Sequence, residues 1–534
     1  MIRLRQIRVN IDEDSIENIK RKCAKKLHIL ESDINNIIIK EQSLDARKKP
    51  DLYFSYTVDI SVNNEKYLLD RYACNDISLT PIEKYQFNID GDMKLTSRPI
   101  IVGTGPAGLF CGYILAENGY KPILIERGEK VEDRVKTIED FWKNNELKKN
   151  SNVQFGEGGA GTFSDGKLVS QVKDSFYRKK KVFDTFIFCG ADEKIGYVNK
   201  PHIGTDKLRD IIKNMRNKII EMGGEFKYNT CLTNLLIQDN KIKSIELNNN
   251  IWIDTEVLIL AIGHSARDTF KMIYDKKIIM DPKPFAVGIR IQHPQDLINK
   301  NQYGIISHPK LGAASYKLTY KSSNGRGVYS FCMCPGGYVV NASSEEGRVA
   351  INGMSNNARD SKNANSALIV TITPDDYGKS PLDGIEFQRK LEENAYKLGK
   401  GLIPIQLYGD YKNNRVSTKL GNIEPIFKGN YTLSNINDIF PKYINDSLKE
   451  GIEYFNRIIK DFSREDAVIA AVESRTSSPV KIYRDENGES NIKGIYPCGE
   501  GAGYAGGITS AAIDGIKVAE FVAHKYRGVY EENI

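Results

Sequence analysis

The stretch Ile100-Ile101-Val102-Gly103-Thr104-Gly105-Pro106-Ala107-Gly108 decides how the 534-residue chain is read. Three apolar residues form a short buried-type strand. Three glycines at spacings of two and three follow, and the next segment, Leu109 to Asn118, reads as a helix ending at Gly119. Gly119 is a natural residue just past a helix end. Pro122-Ile123-Leu124-Ile125 reads as the next strand, and it ends on Glu126. Each glycine has a separate physical task. Gly103 makes the tight turn. Gly105 lets backbone approach a pyrophosphate, and Gly108 lets helix pack on strand. The helix N-terminus offers free N–H groups and a positive dipole to phosphate. Glu126 stands 18 residues past Gly108, where a carboxylate can meet ribose hydroxyls. Together these predict a dinucleotide site.

Three further segments narrow the nucleotide. Val257 to Gly263 is a buried strand closing on glycine. It resembles the late strand of FAD-binding domains of the glutathione-reductase and hydroxylase type. Gly494 to Ile508 resembles the second FAD motif of that superfamily, with Glu500 in place of the usual Asp. The helix that begins near Gly507 points its N–H groups where reduced flavin carries negative charge. The third segment, Phe155 to Leu168, is a glycine loop suited to close approach by a flat ring or a phosphate. The expected cofactor contacts are Gly103, Gly105, Pro106, Ala107, Gly108, Glu126 and Arg127. Gly161, Thr162, Gly263, Gly499, Glu500, Gly506, Gly507 and Ile508 complete the set. No second glycine fingerprint sits in a strand–helix context, so NAD(P)H is expected at most as a transient visitor.

The chain as a whole resembles a bacterial family known only as uncharacterised FAD-dependent dehydrogenases. The resemblance runs nearly end to end. It takes in Gln42 to Arg47, Gly156 to Leu168, Gly263 to Asp268, Lys283 to Gly288, Ser330 to Gly337, Asn352 to Ser355 and Glu473 to Pro479. It implies FAD, a two-part core and an extra N-terminal domain, and it implies no particular substrate.

The rest of the chain bounds the picture. The fold expected is α/β: a Rossmann-type FAD domain from 98–284 and 485–534, a β-rich cap inserted at 285–484, and a small α+β domain at 1–97. Within that domain, Ile2, Leu4, Ile7 and Val9 predict a strand. Asp12 or Asp14 is expected to cap a helix to Leu27, with Ile16, Ile19, Cys23 and Leu27 on one face. Tyr85 to Arg98 reads as a polar linker. No apolar run reaches the roughly 20 residues that span a bilayer, and the N-terminus lacks a signal-peptide core. Cytoplasm is the expected location. A net charge of +7 over this length is mild and points away from nucleic acid.

Eight scattered cysteines and six histidines suggest no metal site. Cys332 and Cys334 invite a redox reading. In a strand, however, residues i and i+2 lie roughly 7 Å apart, too far for an easy bridge. Arg475 is a candidate for an anionic substrate or the flavin, or else a partner of Glu473 or another acid. His264 and Asp165 are expected near the cofactor edge. No catalytic residue is assigned. The expected reaction is hydride transfer between a small organic molecule and FAD. A macromolecular substrate such as tRNA, or a non-catalytic redox sensor, are the alternatives.

Overall fold

The computed structural model describes residues 1–528. Its centre is a five-stranded parallel sheet in the order Ile495–Pro497, Leu258–Leu260, Ile100–Val102, Ile123–Ile125, Glu225–Lys227. Strands buried on both faces read as continuous apolar runs, as Ile100 to Val102 and Leu258 to Leu260 do. One face is covered by the helices Pro106–Glu117, Arg178–Phe188, Thr205–Glu221 and Ile508–Lys525. The other packs on a three-stranded meander, 232–254, and the helix Arg267–Asp275.

Between the last two visits to this sheet, the chain builds a seven-stranded sheet. Its order is Thr319–Lys321, Gly327–Cys334, Asn363–Ile372, Phe285–Pro294, Val468–Glu473, Ile403–Leu407, Tyr431–Leu433. The helices Asp383–Gly399 and Lys442–Phe455 cover its apolar side. The C-terminal span expected at 485–534 includes residues 529–534, which lie outside the described residues.

The N-terminal unit is a four-stranded antiparallel sheet with one long helix on it. Ile2, Leu4, Ile7 and Val9 are all buried although their spacing changes phase. A bulge between Leu4 and Ile7, with Gln6 in the left-handed region at φ 57°, absorbs the extra residue. Two expectations need correction here. The helix spans Ile16–Leu27 and is capped by Ser15, whose Oγ accepts from Asn18 N at 3.2 Å, not by Asp12 or Asp14. Ile16, in the first turn, is 47% exposed and lies off the packed face.

The expected linker is also corrected. Tyr85 and Phe87 pack against the core beside the C-terminal helix, and Leu95 is buried. Tyr85 Oη donates to Glu520 at 3.1 Å. Met93–Lys94 pairs with Tyr526–Arg527. Gly91 permits the approach: a Cβ there would stand 2.4 Å from the Lys525 carbonyl carbon. A few aromatic anchors and one glycine dock a segment whose average composition is polar.

The fingerprint helix and the C-terminal helix pack closely because Gly515 has no side chain. A Cβ on Gly515 would lie 2.2 Å from the Ala107 carbonyl oxygen. Overpacking of this kind costs roughly 1–3 kcal/mol. Gly515→Ala is therefore expected to lower the melting temperature by several degrees in calorimetry.

Candidate functional site

Ligands of open α/β sheets bind in the crevice beyond the carboxyl ends of the strands. Here the chain leaves those ends through Gly103, Glu126, Ala261 to Gly263, and Cys498 to Gly499. The three fingerprint glycines separate by what surrounds them. Gly103 has φ +100°, and its Cβ would meet the Ala261 oxygen at 2.2 Å. A Cβ on Gly108 would lie 1.8 Å from the Gly103 oxygen. Both are needed by the fold itself. At Gly105 the nearest atom is Gly159 Cα at 3.8 Å, so the protein alone has room there.

Two helix N-termini meet at the crevice. Leu109 N donates to Gly105 O at 2.9 Å, which leaves the N–H groups of Ala107 and Gly108 ahead of the first intrahelical bond. Pro106 at the first helical position has no N–H to leave unpaired. In the C-terminal helix, Ala511 N donates to Gly507 O at 2.9 Å, so Ile508, Thr509 and Ser510 likewise precede the helical ladder. Gly161 lies between the two ends: its Cβ would stand 3.0 Å from Ile508 and 3.9 Å from Pro106. Nothing lies within 4 Å of a Cβ built on Gly263, Gly506 or Gly507. The wall is bare backbone, and backbone is what a dinucleotide needs to approach.

Glu126 organises the loops. Its Oε2 accepts from Thr104 N at 2.9 Å and Thr104 Oγ1 at 2.8 Å. Its Oε1 accepts from Gly128 N and Gly156 N, both at 3.0 Å. The carboxylate is buried and fully engaged, so a sugar hydroxyl would share or displace one of these bonds. Arg127 pairs with Asp268 at 2.9 Å, and its guanidinium lies 4.4 Å from the Phe155 ring centre.

Glu500 faces His264 across the crevice, Nδ1 to Oε1 at 3.1 Å. The other ring nitrogen, Nε2, is buried without a partner, and so is Thr162 Oγ1. Buried polar atoms left open need an explanation. Two such atoms in segments expected to touch the cofactor fit a polar ligand. With the bare glycines and the two sets of helical N–H groups, the residues present fit FAD.

Arg134 and Asp514 were not legible as site residues. Arg134 is fully buried and donates to the carbonyls of Asn152, Val153, Gly156, Glu157 and Gly159. It holds the glycine loop in shape. The available signal was an arginine on the apolar stripe Val131, Ile138, Phe141. Asp514 accepts from Gly499 N at 2.8 Å and pairs with Arg484, fixing the second motif from within the helix.

The seven-stranded sheet meets the tail of the glycine loop near Met333. Cys332 and Cys334 do not sit as plain strand neighbours. A bulge falls between Phe331 and Cys334, and Cys332 has φ 41°. Cys334 Sγ donates to the Cys332 carbonyl at 3.2 Å. Cys332 is exposed, yet burial pushes its thiol up to about 12. Lys167, on the tail of the glycine loop, donates to Met333 O beside it. Thr509 Oγ1 donates to Leu168 O at 2.8 Å, which ties the same tail to the C-terminal helix. Asp165 is held by Arg359, with Nε to Oδ1 at 3.0 Å.

Arg475 pairs with Glu392 at 3.0 Å rather than with Glu473, which is taken by Arg290 at 2.8 Å. The bulge and the sheet register place Arg290 beside Glu473, and helix Asp383–Gly399 brings Glu392 to Arg475. Arg475 also reaches Ser265 Oγ at 3.2 Å, next to His264. Arg267 joins this group, bonded to Glu392 and Glu345.

Three family models match the chain. An FAD-dependent protein C-terminal-domain-like family covers residues 284–476. An NAD(P)-binding Rossmann-like domain covers 101–160, and a domain of unknown function covers 1–61. An uncharacterized protein of Clostridium beijerinckii is 49% identical over 98% of this chain and 99% of its own length. The chain belongs to a bacterial family of FAD-dependent proteins. FAD is its cofactor, and its matched domains are an FAD-dependent C-terminal domain and an NAD(P)-binding Rossmann-like domain. Solved structures similar to this family member include L-proline dehydrogenase from P. horikoshii and glycine oxidase from Bacillus cereus ATCC 14579. The first is 12% identical, over 80% of this chain and 94% of that one, with a TM-score of 0.38. The second is 11% identical, over 80% and 95%, with a TM-score of 0.31. Likenesses this distant carry no argument about substrate. No helix among the described residues is long and apolar enough to cross a membrane.

Glu345 supplies a pH test of the acid–base group beside the site. Burial raises its carboxyl, but Arg389 and Arg267 outweigh that and hold it at about 2. An unfolded glutamate titrates at about 4.3, so the depressed group adds stability above that pH, on the order of 2–3 kcal/mol. This contribution disappears as pH falls from 4.3 towards 2. Glu345→Gln is expected to flatten the stability profile across that window, as read by urea unfolding at stepped pH.

Proposed function

We propose that the protein is an FAD-dependent dehydrogenase or reductase that moves a hydride between a small organic molecule and the flavin. The observation that carries this is the convergence of two free helix N-termini and four open glycine positions on one crevice. When bound, the flavin supplies the hydride chemistry at N5; the protein supplies placement and field.

The residues divide the work. Gly103 to Gly108 would hold the pyrophosphate, with Ala107 and Gly108 donating N–H. Glu126 and Arg127 would hold the adenosine end. Gly161, Thr162 and Gly263 would line the middle, and Gly499 with Glu500 the ribityl chain. Gly506 to Ile508 would hold the ring end, where the positive helix terminus favours extra negative charge. The bulge at Cys332 and the side chain of Lys167, which reaches Met333 O, would form the substrate side of the site. The substrate in this reading is a small organic molecule. A nicotinamide nucleotide is the simplest second reactant, docking transiently, since in this reading the one dinucleotide fold among the described residues holds FAD.

The test is anaerobic bleaching of the visible flavin band against NADH, NADPH and a metabolite panel. At least one donor is expected to bleach the band within seconds to minutes. If no donor bleaches it while dithionite does, the enzymatic reading fails and a binding-only flavoprotein remains.

A further inference from the structure

A second cavity, of about 650 Å³, lies behind the glycine loop. Its size falls in the range of ligand pockets, roughly 300–1,000 Å³. Its walls come from three places. The helix Val131–Asn144 gives Glu139, Trp142 and Lys143. The start of the helix Thr205–Glu221 gives Thr205, Asp206 and Arg209. The small sheet at 338–354 and 427–428 gives Tyr338, Met354, Phe427 and Lys428. None of these residues belongs to the FAD segments.

Three cations face this space. Arg209, Lys143 and Lys428 make no ion pair among the described residues, and the Arg209 guanidinium makes no hydrogen bond there either. Arg209 Nε is buried with no partner. Lys428 Nζ lies 5.0 Å from the Tyr338 ring centre, and Arg209 lies 5.0 Å from that of Phe163. Two carboxylates also border the cavity. Asp206 accepts from Asn357 N at 2.7 Å, and Glu139 is exposed at the rim. Neither closes on Arg209. Burial pulls the Arg209 guanidinium down, as it does for a cation held away from water without a contacting carboxylate. A planar guanidinium with open donors matches carboxylate or phosphate oxygens. The other walls, Trp142, Tyr338, Phe427 and Met354, suit a flat apolar body.

We propose that this cavity is a second ligand site, separate from the FAD crevice, for a small planar organic anion whose acidic group is held by Arg209, with Lys143 and Lys428 flanking it. The acidic group is a phosphate or a carboxylate. The site touches the flavin loop through a single layer: Thr205 Oγ1 donates to Thr162 O at 2.5 Å, and Arg209 stacks on Phe163.

The test is isothermal titration calorimetry on the full, FAD-saturated chain. The probes are adenosine 5′-monophosphate, 4-hydroxybenzoate and uncharged adenosine. Saturable binding of the monophosphate or of the benzoate is expected, with adenosine at least tenfold weaker; which acid binds identifies the acidic group. Arg209→Gln should weaken that binding at least tenfold and leave the flavin spectrum and melting temperature unchanged. Lys428→Gln, further out, should weaken it less, and it serves if Arg209→Gln fails to fold. The proposal is overturned if neither acid binds, if adenosine binds as well as the acids, or if a folded Arg209→Gln protein binds them unchanged. These outcomes do not depend on whether any donor reduces the flavin.

Discussion

One buried carboxylate carries the architecture of the crevice. Glu126 ends its strand inside the protein and gathers donors from Thr104, Gly128 and Gly156. Hydrogen bonds to a charged acceptor are worth about 1.5–3 kcal/mol each, and a buried charge without them would be untenable. The fingerprint turn, the strand exit and the glycine loop are thereby fixed against one another. Arg134 completes the work from the other side by taking the carbonyls of the same loop. The N–H groups face one way and the carbonyls are held the other. An anion at the fingerprint turn meets the unpaired N–H groups at the helix start, which favours a pyrophosphate there.

The same logic of fixed backbone explains the glycines. Gly103, Gly108 and Gly515 let main chain meet main chain, and any side chain there would collide with a carbonyl. Gly263, Gly506 and Gly507 collide with nothing. Glycine at the first set answers to folding. At Gly263 the left-handed backbone, φ +68°, itself calls for glycine; at Gly506 and Gly507 neither packing nor strain does, which leaves that space open to a ligand. Gly507 makes the point most clearly. Its φ of 167° is extended backbone that any residue adopts, so neither strain nor packing requires glycine there.

Much of this was legible in the sequence because its causes are local. The strand–glycine–helix–strand order from Ile100 to Glu126 and the second motif near Gly499 are written in consecutive residues. What was not legible depends on partners far along the chain. Arg475 lies two residues from Glu473 yet pairs with Glu392, because sheet register gives Glu473 to Arg290. Cys332 and Cys334 were read on strand geometry, and a bulge changed it. The polar stretch at Tyr85 to Arg98 hid two aromatic anchors and a docking glycine. The cavity around Arg209 draws on residues between Glu139 and Asn430 and left no motif.

The central claim is that the bare-backbone crevice exists to hold FAD. It is tested most directly by measuring flavin content, from absorbance after release, in the purified wild-type chain and in Gly507→Val. The account predicts stoichiometric FAD in the wild type. It predicts a folded variant with the melting temperature of the FAD-free wild type and no retained flavin. A folded Gly507→Val protein that keeps stoichiometric FAD would contradict it.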